Sequence, residues 1–104
     1  MGNNNTEKKN RFLCKLIPPR PSFVQDMTEA ERKVMQEHAA YWKTLVDNGT
    51  AIVFGLVLDP KGPWGLGIVE VANESDVHML GTNDPAVKEA GLTFEVYLMP
   101  NVVV

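Results

Sequence analysis

Residues 26–49 read DMTEAERKVMQEHAAYWKTLVDNG, and this stretch decides the fold. Its pattern predicts one amphipathic helix with a start and a stop. Thr28 is a good N-cap, and Glu31 stands three positions on, the spacing of a capping box. Glu29 and Glu31 place negative charge at the positive end of the helix dipole. Gly49 follows Asn48, where a left-handed C-cap is usual. Val34, Tyr41, Trp42 and Leu45 recur at helical spacing and mark the face that should be buried. His38 lies four residues after Val34 and four before Trp42, and therefore shares that face. An imidazole on a core-facing stripe is either a buried, hydrogen-bonded side chain or an acid–base group. The helix alone does not separate the two.

Toward the N-terminus, Phe12 to Ile17 (FLCKLI) is a short apolar run ending at Pro18 and reads as a first strand. Pro18-Pro19-Arg20-Pro21 is expected to be an extended, stiff connector, because each proline fixes its own φ and restricts the residue before it. Arg20, held between prolines, has a set direction and is a candidate to meet an anionic ligand. Residues 1–10 (MGNNNTEKKN) are polar throughout and read as a disordered tail with no signal peptide. Gly2 and Thr6 fit a myristoylation pattern, but a pattern so short arises often by chance.

Toward the C-terminus, Ala51 to Leu58 (AIVFGLVL) reads as a second strand with Gly55 as a bulge or close-approach point. Asp59-Pro60-Lys61-Gly62-Pro63 is turn chemistry, and Leu66 to Val71 returns as a third, antiparallel strand. Gly62, Gly65 and Gly67 lack the spacing of a phosphate-binding loop and are read as hairpin and bulge residues. Asn73 caps a second helical region that Gly81 shortens. Asp84 and Pro85 then restart it as N-cap and first helical residue, up to Gly91. Leu92 to Met99 alternates as a last strand, with Leu92, Phe94, Val96 and Leu98 on one face.

The order β-α-β-β-α-β predicts an α+β domain over residues 11–104: a ferredoxin-like, four-stranded antiparallel sheet with helices on one face. Val53 and Phe54, like Ile68 and Val69, point to opposite sides, so the uncovered face is apolar too. A homodimer that joins two sheets face to face, a dimeric α+β barrel, is expected.

The composition narrows the function. The net charge is −3 with no basic cluster, which argues against nucleic acid as a partner. No apolar run approaches the roughly 20 residues that span a membrane. The single cysteine, Cys14, excludes an internal disulfide and suits a reducing, cytoplasmic setting. The two histidines, His38 and His78, show no metal-ligand spacing, and no cofactor motif is present. Cys14 is flanked by Lys15, but adjacent strand residues face opposite ways, so Cys14 reads as core. Acid–base chemistry is left, with His38 as base and a carboxylate to orient it. Asp59, at the end of the second strand, and Asp84, at the helix cap, are both candidates. Trp42, Phe54 and Trp64, with Tyr41, are candidates for an apolar wall around a small organic ligand.

The runs LIPPRPSFVQDMTEAERKVMQEHAAYW, VFGLVLDPKGPWGLGIVEV and NDPAVKEAGLTFEVYLMP together resemble the YciI-like family, the YCII-related domain, from Phe12 to Pro100. The resemblance implies a ferredoxin-like fold, a dimer of the barrel kind and a histidine–aspartate pair. By position the histidine is His38, and the aspartate is Asp84 or Asp59. Related proteins include a dehydrochlorinase of a chlorinated hydroxyquinol, muconolactone isomerases and small cofactor-free monooxygenases. The expected function is thus a small cofactor-free enzyme of lyase, dehydrochlorinase or isomerase type acting on a small organic ring. The alternative is a non-catalytic dimeric module that binds a small ligand. Arg20 lies in a segment that the shortest members lack.

Overall fold

The computed structural model describes residues 9–103. The elements are β1 (Asn10–Ile17), α1 (Phe23–Asp26), α2 (Glu29–Asp47), β2 (Ala51–Val57), β3 (Trp64–Val71), α3 (Glu74–Asn83), α4 (Pro85–Glu89) and β4 (Thr93–Met99). The four strands form one antiparallel sheet in the order β2-β3-β1-β4, and the domain is α+β. The expected tail lies outside the described residues except for Lys9 and Asn10, as does the Gly2–Thr6 pattern. Asn10 already belongs to β1, where it pairs with Val71 and its amide donates to the Ala72 carbonyl.

The central helix forms for the reasons its sequence supplies. Thr28 accepts from the Glu31 N–H at 3.0 Å, and the Glu31 carboxylate accepts from the Thr28 N–H at 2.9 Å, which closes the capping box. Asn48 caps the other end, and Gly49 follows in the left-handed region with φ 83°. His38, Trp42 and Leu45 are the buried residues of the helix, and His38 and Trp42 pack against Phe54 of the sheet.

Cross-strand pairing sorts the sheet into two faces. One row runs Phe54–Gly67–Cys14–Val96 and the next Leu56–Gly65–Leu16–Phe94, both on the helix side. Phe12, Cys14, Leu16 and Val69 are buried there with Phe23 and Trp42. Full burial of a large apolar side chain contributes about 1.5–3 kcal/mol each. The row Val53–Ile68–Leu13–Tyr97 lies on the other face, which no described element covers. Val53 and Tyr97 are about half exposed, at 48% and 51%.

Three local expectations change. The proline segment is not a straight connector. It bends at Pro19 and Arg20 and turns at Pro21, so the Phe23 N–H bonds the Arg20 carbonyl at 3.1 Å and α1 follows. Gly55 is not a bulge, since the irregularity in β2 falls between Ala51 and Val53 and Gly55 pairs regularly with Leu66. Gly65 and Gly67 are not bulge residues either, since both pair in regular register. They sit within β3, and Gly62, with φ 134°, makes the turn. Their lack of a side chain makes room: a Cβ on Gly67 would lie 2.6 Å from the Trp42 ring.

Candidate active site

His38 and Asp84 meet in the core. His38 is placed by the middle of α2. Asp84 is placed by the one-residue break between α3 and α4, where it ends one helix and caps the next. Pro85, at the first position of α4, has no N–H to satisfy, and the Asp84 side chain accepts the Ala86 N–H at 2.9 Å. A short N-cap carboxylate held this way points back toward α2.

Asp84 is fully buried and His38 is 5% exposed. The imidazole Nδ1 lies 2.9 Å and 3.0 Å from the two Asp84 oxygens. The Trp42 indole N–H donates to Oδ2 at 2.8 Å. Three N–H groups, from His38, Trp42 and Ala86, therefore converge on one carboxyl group. A group facing only donors has to supply acceptors on both oxygens, which a carboxylate does and an amide does not. With the carboxylate as acceptor, the ring hydrogen on Nδ1 is directed at Asp84 and Nε2 is the nitrogen on the other side of the ring. Among the described residues Nε2 has no hydrogen-bond partner, and it is not a sealed, unpaired atom.

Aromatic packing fixes the pair. Trp42 stacks on Phe54 with centroids 4.7 Å apart and planes 14° apart, and His38 meets the same Phe54 edge-on at 5.1 Å. Tyr41, on the flank of α2, ties that helix to α3 by donating its hydroxyl to the Leu80 carbonyl at 2.7 Å. Burial, reinforced by the Asp84 charge, raises the Tyr41 phenol above its ordinary pKa.

His38 opens on a cavity of about 170 Å³ between α1, α2 and the sheet. Its wall is almost wholly apolar: Leu16, Pro18, Phe23, Val24, Met27, Met35, Phe54, Leu56 and Leu92, with Gly55 and Gly65. Of the residues expected to form an apolar wall, Phe54 lines this space, while Trp42, Tyr41 and Trp64 do not. Trp42 lies behind His38 as its support. Met35, three residues before His38 on α2, was missed by the sequence reading, although that helical spacing places it beside the histidine. Phe23 and Val24 lie on α1, which the proline-rich sequence concealed.

Asp59 and Trp64 form a separate cluster. Asp59 accepts from the Lys61 N–H at 2.9 Å and from the Trp64 indole at 3.0 Å, bonds that lower its pKa. The Lys15 ammonium sits 4.7 Å above the Trp64 ring. They line a second groove of about 360 Å³, bordered by Arg20 and the prolines; Pro18 lies between it and the His38 cavity. The structure thus brings Asp84, and not Asp59, to His38. The Arg20 guanidinium is bidentate on Glu31 at 2.8 and 3.0 Å, and its Nε bonds Asp26 at 2.8 Å. It binds α1 to the first turn of α2.

The sequence model of the YCII-related domain matches residues 11–101. The chain belongs to the YCII-related domain family. No protein of curated function matches it. In this YCII-related domain no group of three or more His, Cys, Asp or Glu among the described residues is placed to hold a metal ion. No described helix is long and apolar enough to cross a membrane.

Proposed function

We propose that this chain is a small cofactor-free enzyme in which His38 is a general base and acid. The observation that carries the reading is the buried His38–Asp84 pair, with His38 among the residues that line an apolar cavity. Nε2 takes a proton from a small organic ring in the cavity. Asp84 holds the Nδ1–H, keeps the productive tautomer and stabilises the imidazolium that forms. Returning the proton to a different atom of the substrate gives isomerisation. Elimination instead breaks the adjacent carbon–leaving-group bond as the electron pair from C–H forms the new double bond. Phe54 packs against the ring, and Arg20, Asp59 and Trp64 take no part. Two copies joined through the open sheet face complete the molecule, in a reducing compartment that suits the lone Cys14.

The second reading is a non-catalytic ligand-binding dimer. It is favoured by the structural bonds that Asp84 makes to Trp42 and Ala86, which need no reaction to explain them.

The test is hydrogen–deuterium exchange into a panel of small cyclic ketones and lactones, followed by NMR for wild type and His38→Gln. Positioned general bases accelerate such steps by about 10²–10⁴. Wild-type exchange in that range, lost in His38→Gln, supports the enzyme. Equal rates for the two proteins leave only the binding module.

A further inference from the structure

We propose that the groove beside Trp64 binds a small organic anion, its charged head at Lys15 and Lys61 and its hydrocarbon against Trp64 and the neighbouring prolines. The site is separate from the His38 cavity, and the inference stands whether or not His38 moves a proton.

The strand register builds the groove. Lys15 pairs with Leu66, and Trp64 stands two residues before Leu66 on β3, so Lys15 and Trp64 share the open sheet face as diagonal neighbours. The Lys15 ammonium accordingly lies 4.7 Å from the centre of the Trp64 ring. The proline segment and the turn after β2 complete the lining. These two segments meet at Pro21 and Gly62, where a Cβ on the glycine would lie 3.6 Å from the Pro21 Cβ.

The charge of the ligand follows from what the lysines lack. The chain carries a net charge of −3, yet this groove gathers cations. Among the described residues neither Lys15 nor Lys61 forms an ion pair. Arg20 lines the groove too, but Glu31 and Asp26 hold its guanidinium. The nearby carboxylates are engaged elsewhere. Asp59 accepts the Lys61 N–H and the Trp64 indole N–H, and these bonds, followed by the pull of both ammonium charges, hold its carboxyl below its ordinary range. Glu95, opposite Lys15 on β4, accepts the Tyr97 hydroxyl at 2.7 Å. Each ammonium has three N–H donors, and an incoming oxyanion supplies the acceptors.

The body of the ligand follows from the rest of the wall. Ile17, Pro18, Pro19, Pro21, Pro63 and the Trp64 ring are apolar, and a proline has no N–H to offer. A peptide finds few backbone donors along such a wall. A molecule with its polarity at one end suits it, and an organic cation would meet two like charges.

The experiment is an NMR titration of the full chain at neutral pH and low salt with hexanoate, acetate and hexylammonium as probes. The chain has two tryptophans, and their indole N–H signals report separately. Trp64 lines the groove, while the Trp42 indole is buried against Asp84. Hexanoate is expected to shift the Trp64 signal saturably and to leave that of Trp42 in place. Acetate should bind at least about tenfold more weakly, because it lacks the methylenes that cover the wall. Hexylammonium should give no saturable shift. Lys15→Met and Lys61→Met should each weaken hexanoate about two- to fivefold, the range of one exposed charge contact. Lys61 is exposed in the turn, so its variant is compatible with the fold. Lys43→Met, which removes an exposed lysine of α2 paired with Asp47, should change nothing. No saturable shift of Trp64 by hexanoate, hexylammonium or acetate binding as well as hexanoate, or hexanoate binding unchanged by both Lys15→Met and Lys61→Met would each overturn the proposal.

Discussion

Trp42 and Asp84 are forty-two residues apart in sequence, yet the Trp42 indole N–H lies 2.8 Å from Asp84 Oδ2. This contact closes the set of three donors around the carboxylate and sets the orientation of His38 from behind. Asp84 is therefore a helix cap, a core anchor and the partner of the imidazole at once. Asp84→Asn is expected to turn its NH₂ toward either Trp42 or Ala86, donor against donor. The loss should be about 1–3 kcal/mol in urea denaturation. Asp84→Ala leaves three N–H groups unpaired and should lose about 3 kcal/mol or more. A stability change under about 0.5 kcal/mol for both would show that the carboxylate is not the anchor described.

Gly67 and Gly55 lie on neighbouring strands and separate space from conformation. Neither has a positive φ. A Cβ on Gly67 would strike the Trp42 ring, while one on Gly55 meets nothing within 4 Å. Gly67→Ala should cost about 1–3 kcal/mol, and shift Trp42 fluorescence, through overpacking. Gly55→Ala should be neutral or stabilise by up to about 1 kcal/mol, since alanine narrows the unfolded ensemble. Equal effects for the two would discard the packing role assigned to Gly67.

Glu31 gives a defined pH dependence. The hydrogen bond from Arg20, followed by the one from the Thr28 N–H, holds its carboxyl at about 2, below the ordinary 4.5. A carboxylate whose pKa is lowered by folding stabilises the native state above its unfolded value. That stabilisation is fully present above about pH 4.5 and is lost as pH falls through about 2. Glu31→Gln should be less stable than wild type at pH 6, and the gap should shrink between those two values. Denaturation curves at a series of pH values measure it. A gap that stays constant down to pH 2 contradicts the charge-based account.

Cys14 is inert by position. It is fully buried, and desolvation pushes its thiol up to about 12. Native protein should react with a disulfide reagent only as fast as it unfolds, and in denaturant at once. Rapid modification of the folded chain would mean that β1 opens locally.

The open sheet face makes a prediction about assembly. Val53, Ile68, Leu13 and Tyr97 form a cross-strand row that no described element covers. If a second copy supplies the cover, Val53→Lys with Ile68→Lys should yield monomers in sedimentation velocity and leave far-UV circular dichroism intact. A wild type that is monomeric at high micromolar concentration removes the dimer from the proposal.

Much of this protein was legible in the chain itself. The capping box of Thr28 and Glu31, the stop at Gly49, the Asp84-Pro85 restart and the alternation of the last strand all act over four residues or fewer. Backbone propensity and side-chain capping operate at that range, and their outcome does not depend on the rest of the fold. The position of His38 on the inward face of α2 followed from the same local periodicity. Which aspartate would reach it did not. Asp59 and Asp84 carry equally good local roles, and only the packing of α4 against α2 across the sheet brings one of them within 3 Å of the imidazole. The same holds for Gly65 and Gly67, whose purpose is the space that Trp42 and the cavity occupy. It holds for Arg20 as well, whose set direction led to Glu31 and Asp26 and not to a ligand. Local sequence decided which elements form and which side chains turn inward. Tertiary structure alone decided which of those side chains meet, because a contact forty-six residues long depends on strand order and helix packing.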